Sequence, residues 1–284
     1  MPVRWLGENR LVEADKYSTK DLEKSLSILD LFSMKQSGEK ISCLTAYDAS
    51  FSQLIDQAGI DMMLVGDSLG MVIQGKKTTI PVSIDEMVYH TQCVVNARKR
   101  AFVIADMPFL SYANSKTAIK SAAKLMQKGG AQMVKLEGPH FSIIKTLVDF
   151  AVPVCGHLGL LPQSINLLGA YSVQGKDISD AEKIADDAIK IEQAGASLLV
   201  LECVPADLAA KITKSLKIPV IGIGAGIDCD GQVLVLYDML NISLGKRPRF
   251  SKDFMKNADD INDAIFQFNQ AVKLAEFPAQ EHSF

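Results

Sequence analysis

Several side chains that could bind a ligand or move a proton stand at the end of short apolar segments or directly after them. Asp67 and Ser68 follow the apolar run Met62–Val65, which has the length of a strand buried on both faces. A carboxylate and a hydroxyl in this place suit an ion or an oxygen-rich ligand, although Asp and Ser also cap helices and turns. Further ionisable residues occupy similar places: Asp106, Lys135, Glu137, His157 and Glu202.

Most of these residues also have a structural alternative. Lys135 and Glu137 are two positions apart on a predicted strand, so they face the same side and could form a salt bridge with each other. His157 could be a hydrogen-bonded histidine of the core, and Glu202 could cap the helix that follows it. A purely structural core avoids such charges, because a buried charge is costly unless it is paired or bound to a metal.

The elements that position these residues follow a regular order. Short apolar segments recur along the chain, and segments with a helical pattern separate most of them, which predicts a parallel sheet with helical crossovers. An eighth strand at Val233–Tyr237 is less distinct, because the connection after Ile223 is too short for a full helix. We expect a (β/α)8 TIM barrel, with an open doubly wound sheet as the alternative. The other predicted strands are Ile41–Leu44, Met62–Val65, Phe102–Ala105, Met133–Leu136, Val152–Cys155, Leu198–Leu201 and Val220–Ile223.

In a parallel barrel the C-terminal ends of the strands meet at one rim, where the loops form a pocket. We therefore expect the ionisable residues after strands two to six to share that pocket. Glycines at Gly222, Gly224 and Gly226 do not complete a dinucleotide-binding fingerprint, since Ile227 stands where its third glycine is required. They suit a turn in which the backbone approaches a ligand.

Composition narrows the class of protein. The chain has 284 residues, 48% of them hydrophobic, and a formal charge of −3, which gives no electrostatic reason to expect binding to nucleic acid or an anionic membrane. Its five dispersed cysteines indicate neither a disulfide framework nor a zinc cluster, and we expect a cytoplasmic protein. We interpret residues 1–25 as an N-terminal arm and residues 26–284 as a single barrel domain.

An ordered set of motifs resembles the ketopantoate hydroxymethyltransferase family. The resemblance runs from about Asp30 to the end of the sequence without large gaps, and residues 1–25 have no counterpart in it. The motifs are Thr45-Ala-Tyr-Asp48, Val65-Gly-Asp-Ser-Leu-Gly70, Ala105-Asp-Met-Pro108, Met133-Val-Lys-Leu-Glu-Gly138, Val154-Cys-Gly-His-Leu-Gly-Leu160, Leu201-Glu-Cys-Val-Pro205, Ile221-Gly-Ile-Gly-Ala-Gly226 and Glu281-His-Ser-Phe284.

The resemblance implies an enzyme that moves the one-carbon unit of 5,10-methylenetetrahydrofolate onto 3-methyl-2-oxobutanoate, giving 2-dehydropantoate. It also implies a (β/α)8 barrel and a large homo-oligomer, commonly a decamer. The implied roles of the site residues are Mg²⁺ binding by Asp67 and Asp106 with Glu137 in or near the metal shell, 2-oxoacid binding by Asp67, Ser68, Asp106 and Lys135, and proton acceptance by Glu202.

The residue types suit these implied roles. Mg²⁺ usually takes one or two protein carboxylates and leaves room for substrate and water, and Lys135 could meet the carboxylate of a 2-oxoacid. A base such as Glu202 works best when an apolar setting raises its pKa to about 6–7. For His157 two roles stay open, orienting the substrate or relaying a proton.

Two other functions are compatible with the same pattern. A Mg²⁺-dependent carbon–carbon lyase or phosphonomutase of similar architecture would share the aspartates but would not require folate. A barrel that only binds a 2-oxoacid, as a sensor or assembly subunit, would tolerate the loss of a rim carboxylate, and none is lost here. Formation of product that depends on methylenetetrahydrofolate distinguishes the proposed transferase from both.

Overall fold

The structure, a computed structural model, describes residues 24–284 and contains one closed barrel of parallel strands in the order β1 to β8. The predicted (β/α)8 fold is confirmed. Almost all of the N-terminal arm assigned to residues 1–25 lies outside the described residues. The strands are β1 Ile41–Thr45, β2 Met62–Val65, β3 Phe102–Asp106, β4 Met133–Glu137, β5 Val154–Gly159, β6 Leu198–Glu202, β7 Val220–Ile223 and β8 Gly231–Leu234.

Helices connect most of these strands on the outside of the barrel. Among the longer ones, α1 and α4 begin with capping boxes, Ser27 with Asp30 and Ser83 with Glu86, which satisfy the first free N–H groups of each helix. The helices are α1 Ile28–Ser37, α2 Ala49–Gln57, α3 Leu69–Val72, α4 Ile84–Ala97, α5 Ser115–Ala123, α6 Phe141–Asp149, α7 Ile165–Leu168, α8 Ile178–Gln193, α9 Ala206–Ser215, α10 Leu236–Met239 and α11 Ile261–Lys273.

The core lies inside the barrel and between the barrel and its helices. Strand residues are buried on both faces, which explains why the strands are continuous apolar runs rather than alternating ones. Helix α8 approaches β5 closely at Gly156, where a Cβ atom would meet Ile191 Cγ2 at 2.7 Å. Glycine at this position therefore lets the helix pack directly on the strand.

Two strands differ from their predicted bounds by more than one residue. The eighth strand is Gly231–Leu234 rather than Val233–Tyr237, and the chain turns into α10 immediately after it. Its first residue must be glycine, because a Cβ at position 231 would collide with Ile41 O of the adjacent strand β1. Strand β5 is shifted towards its C-terminal end, to Val154–Gly159, and includes a histidine and glycines that interrupt the apolar pattern.

The charged ends of three strands are part of the strands themselves. Asp106, Glu137 and Glu202 are the last residues of β3, β4 and β6, where apolar patterning predicted that each strand ends one residue earlier. None of the helices formed by residues 24–284 is both long enough and apolar enough to cross a membrane.

Candidate active site

Strand register brings the predicted site residues together at the C-terminal rim. Asp106 pairs with Lys135 between β3 and β4, and Glu137 pairs with His157 between β4 and β5. On the next strand, Glu202 pairs with Gly159. Asp67 lies two residues after the end of β2, and Asp67, Asp106, Lys135 and Glu137 are each no more than 4% exposed. The rim is therefore a buried cluster of charged groups.

Lys135 neutralises the aspartate side of this cluster. Its Nζ lies 3.0 Å from Asp106 Oδ1 and 3.3 Å from His157 Nδ1. Burial opposes the positive charge of Lys135, but Asp106 and then Glu137 and Asp67 outweigh that effect, so the pKa of Lys135 is raised and the side chain stays charged. The alternative of a Lys135–Glu137 salt bridge is wrong, because within residues 24–284 Lys135 forms its ion pair with Asp106.

Asp67 and Asp106 lie side by side. The backbone N–H of Asp67 donates to Asp106 Oδ2 at 3.1 Å, and Asp67 Oδ2 accepts a hydrogen bond from Gln163 Nε2 at 2.8 Å. Burial, followed by the nearby charge of Asp106, raises the pKa of Asp67 to about 7. Helix α3 begins after Ser68 without a side-chain cap, so Asp67 does not cap it. Ser68 Oγ lies 2.8 Å from the Tyr47 hydroxyl.

Glu137 is held in the same region by the loop after β5. Its Oε2 accepts the backbone N–H of Gln163 at 3.0 Å, and its Oε1 lies 3.7 Å from His157 Nδ1. Burial raises the pKa of Glu137 well above its usual range, although the charge of Lys135 acts in the opposite direction. A further positive charge in the pocket would favour the ionised form of this carboxyl group.

His157 lies between the lysine and Glu202 and is neutral. Burial and the charge of Lys135 hold its pKa well below the usual range. Because an ammonium group can only donate, Nδ1 facing Lys135 acts as an acceptor and the ring proton is on Nε2. Nε2 lies 3.3 Å from Glu202 Oε2, but it forms no hydrogen bond with any of residues 24–284.

Glu202 is more exposed than the other carboxylates of the rim, with 15% of its side chain accessible to solvent. Burial raises its pKa to about 7, while Lys135 acts in the opposite direction. Helix α9 begins after Pro205 without a side-chain cap, so the alternative that Glu202 caps this helix is wrong. A carboxyl group with this pKa can exchange a proton near neutral pH.

The site also contains polar residues that the sequence did not single out. Gln163 touches both Asp67 and Glu137, and the Tyr112 hydroxyl donates to Gln163 Oε1 at 2.6 Å. Tyr47 contacts Ser68. The one signal for Gln163 was a polar residue beside a proline in the loop after a predicted strand, which is common in loops and therefore uninformative.

The donor set fits a hard cation such as Mg²⁺. Asp106 Oδ1 is buried and, although Lys135 is close, it accepts no hydrogen bond from the described residues. Residues 24–284 contain no ready-made group of three or more His, Cys, Asp or Glu ligands around one point. A site built from two aspartates, completed by substrate and water, matches the small number of protein ligands that Mg²⁺ takes.

Comparison with solved structures supports the fold. A phosphonopyruvate hydrolase, crystallised in complex with oxalate and Mg²⁺, aligns with a TM-score of 0.57 and 12% sequence identity, covering 73% of this chain and 80% of that one. A 2,3-dimethylmalate lyase aligns with a TM-score of 0.51 and 14% identity, covering 68% and 70%. At such low identity the likeness concerns the barrel alone.

Comparison with curated proteins is far more specific. A 3-methyl-2-oxobutanoate hydroxymethyltransferase from Marinobacter nauticus is 53% identical over 92% of this chain and 99% of its own length. One from Alkalilimnicola ehrlichii is 54% identical over 88% and 91%. The family model for ketopantoate hydroxymethyltransferase matches residues 25–280. The chain therefore belongs to the ketopantoate hydroxymethyltransferase family of enzymes.

Proposed function

We propose that this protein is a 3-methyl-2-oxobutanoate hydroxymethyltransferase that uses 5,10-methylenetetrahydrofolate and produces 2-dehydropantoate for pantothenate and coenzyme A synthesis. The observation that carries the proposal is that a binding place for a 2-oxoacid and a general base lie at the same rim of the barrel. Charged Lys135 beside Asp106 and Asp67 offers a place for a 2-oxoacid, and Glu202, with a pKa of about 7, offers a base. The family match supports the choice of substrates.

We propose that Asp67 and Asp106 hold Mg²⁺, with Glu137 in or near its coordination shell. The elevated pKa of Asp67, caused by burial and by Asp106, means that the two carboxylates gain from a nearby cation when both are ionised. When bound, the ion supplies positive charge at the keto oxygen of the substrate. The phosphonopyruvate hydrolase of similar fold was crystallised with Mg²⁺ and the small dicarboxylate oxalate, which is compatible with this assignment.

The 2-oxoacid is oriented by side chains on neighbouring strand ends. Lys135 meets the substrate carboxylate, because its charge is retained and it lies beside Asp106. Ser68, whose hydroxyl is held by Tyr47, provides a polar contact next to Asp67. The burial of this cluster strengthens each electrostatic contact with the substrate, since little water is present to screen it.

Glu202 removes the proton from C3 of 3-methyl-2-oxobutanoate, and C3 then forms a bond to the methylene carbon of 5,10-methylenetetrahydrofolate. Both C–N bonds of that carbon break, and one water molecule supplies the hydroxyl group of 2-dehydropantoate. The C3 proton and one proton of the water end on the two nitrogens of the tetrahydrofolate released. Neutral His157 has its Nε2–H 3.3 Å from Glu202 Oε2, so it adds no positive charge beside the base. The low pKa of His157 makes it a weaker proton acceptor than Glu202 at neutral pH.

We also propose that the protein assembles as a homo-oligomer, most simply the decamer implied by the family, and acts in the cytoplasm. Large apolar side chains on its surface support self-association, among them Phe150 at 68% and Leu29 at 74% exposure. Analytical ultracentrifugation measures the mass directly, and a monomer at micromolar concentration would contradict this assembly.

The function is tested by one assay in which each of three components is left out in turn. Purified protein is mixed with 3-methyl-2-oxobutanoate, Mg²⁺ and 5,10-methylenetetrahydrofolate, and 2-dehydropantoate is measured by mass spectrometry. We expect product only when all three are present. Phosphonopyruvate without folate serves as the control for lyase or phosphonomutase chemistry, and turnover of that compound alone would reject the proposed transferase.

A further inference from the structure

We propose that Gln163, itself held by Tyr112, is a positioning residue that determines which oxygens of Asp67 and Glu137 face the ligand. This rests on the proposed function only for the identity of the ligand, a divalent cation with its 2-oxoacid. The contacts come from a residue on the loop after β5 that reaches the ends of three other strands.

Gln163 lies in a short 3-10 turn, Pro162–Ser164, and is only 5% exposed. Its backbone N–H donates to Glu137 Oε2 at 3.0 Å. Its side-chain Nε2 donates to Asp67 Oδ2 at 2.8 Å and to Met107 O at 3.0 Å. One residue therefore connects the ends of β2, β3 and β4.

The orientation of the Gln163 amide follows from these partners. Nε2 faces a carboxylate oxygen and a carbonyl oxygen, which are both acceptors, so the NH₂ group must be on this side. Oε1 then faces the Tyr112 hydroxyl, which donates to it at 2.6 Å. Burial raises the pKa of Tyr112 above its usual value, so this hydroxyl keeps its proton. Both amide hydrogens and Oε1 of the side chain are thus satisfied.

These bonds occupy one oxygen of each carboxylate. Oδ2 of Asp67 and Oε2 of Glu137 both accept from Gln163, which leaves Oδ1 of Asp67 and Oε1 of Glu137 as the oxygens not bonded to Gln163. Because both donors are neutral N–H groups, they orient the two carboxyl groups without adding a positive charge that would repel a cation. Outer partners of this kind commonly fix the geometry of metal-binding carboxylates.

A matched pair of substitutions tests the role of Gln163. Gln163→Met keeps the length of the side chain and removes its side-chain hydrogen bonds with Asp67, Met107 and Tyr112, while the backbone N–H bond to Glu137 remains. Gln132→Met does the same at the opposite end of the barrel, where Gln132 Oε1 accepts from Val103 N–H at 3.0 Å and Nε2 donates to Leu26 O at 3.1 Å. Binding of Mn²⁺ to the substrate-free protein, followed by electron paramagnetic resonance, is the main readout.

We expect Gln163→Met to weaken Mn²⁺ binding by roughly 10–100-fold, and Gln132→Met to leave it within about twofold of the wild type. Circular dichroism and thermal melting check that both variants fold. Unchanged Mn²⁺ affinity in a folded Gln163→Met protein, or an equal loss in Gln132→Met, would overturn the positioning role.

Tyr112→Phe provides a second route that does not alter Gln163. It should weaken Mn²⁺ binding in the same direction, and the double variant should lose less than the product of the two single effects, since both act through one hydrogen bond. Fully independent effects would overturn the coupling. Wild-type protein that binds Mn²⁺ but forms no folate-dependent product would reject the proposed function and leave this inference standing, whereas wild-type protein that binds no Mn²⁺ would overturn both.

Discussion

His157 Nε2 lies 3.3 Å from Glu202 Oε2 at the C-terminal rim of the barrel, and the two residues are held on adjacent strands. The imidazole is neutral because burial and Lys135 depress its pKa, while burial raises the pKa of Glu202 to about 7. In this pair the carboxylate, rather than the histidine, is poised to accept a proton near neutral pH.

Replacing Glu202 by Gln should therefore slow proton removal from the substrate. Exchange of the C3 hydrogen of 3-methyl-2-oxobutanoate with D₂O, without folate, is expected to fall by roughly 10²–10⁴-fold, the usual scale for a positioned base. Proton NMR follows the exchange directly. Glu182→Gln, on the exposed side of α8, is the control. Wild-type exchange in Glu202→Gln with substrate bound would favour His157 or a bound water as the base.

The rate of this exchange should depend on pH through Glu202. A base acts in its ionised form, and the pKa of Glu202 is about 7, so the exchange rate should rise between pH 6 and 8 and level off above that range. A pH profile measured by NMR checks this. A midpoint near the ordinary glutamate pKa, below about 5, would contradict a desolvated base.

The same pKa has a consequence for stability. The folded-state pKa of Glu202 is raised above its unfolded value, so stability is fully present below the unfolded pKa and is lost as pH rises through about 7. Glu202→Gln removes this loss. At pH 8 the free energy of unfolding of the variant should exceed that of the wild type by roughly 1–3 kcal/mol, seen as a higher urea midpoint. At pH 4 the two proteins should be nearly equal. A less stable variant at pH 8 would contradict the burial of this charge.

Lys135→Met should mainly weaken binding of the 2-oxoacid and spare that of folate. It also removes the positive partner of Asp106, and an unpaired buried charge costs about 3–5 kcal/mol unless the carboxylates take up protons. Calorimetric titration with each substrate, alongside a melting curve, separates the two effects. Lys145→Met, an exposed lysine of α6, is the control. Loss of folate binding with intact 2-oxoacid binding would contradict the assignment of Lys135 to the 2-oxoacid.

Asp67→Asn and Asp106→Asn should each weaken Mg²⁺ binding by at least about tenfold while the barrel stays folded. Either substitution removes the repulsion between the two carboxylates, but Asp106→Asn also breaks the ion pair with Lys135, so without metal the melting temperature of Asp67→Asn should not fall below that of Asp106→Asn. Asp85→Asn, in an exposed ion pair with Lys124, is the control. Metal-dependent activity equal to wild type in both site variants would reject these ligands.

The sequence by itself predicted the barrel and the strand ends from which its ionisable groups emerge. Buried parallel strands are apolar over their whole length, so a charge such as Asp106 or Glu202 at the end of an apolar run is visible without a structure. The motifs then indicated the family, which the curated relatives confirm.

Tertiary structure alone decided how these groups combine. Lys135 pairs with Asp106 rather than Glu137 because the register between β3 and β4 places them opposite each other. Gln163 reaches Asp67 across 96 positions of sequence, and position 231 of β8 requires glycine because Ile41 leaves no room for a side chain. Register, close approach and burial depend on segments far apart in the chain, so local residue patterns do not encode them individually. The same dependence sets the pKa values of Asp67 and Glu202, since desolvation exists only once the barrel has closed.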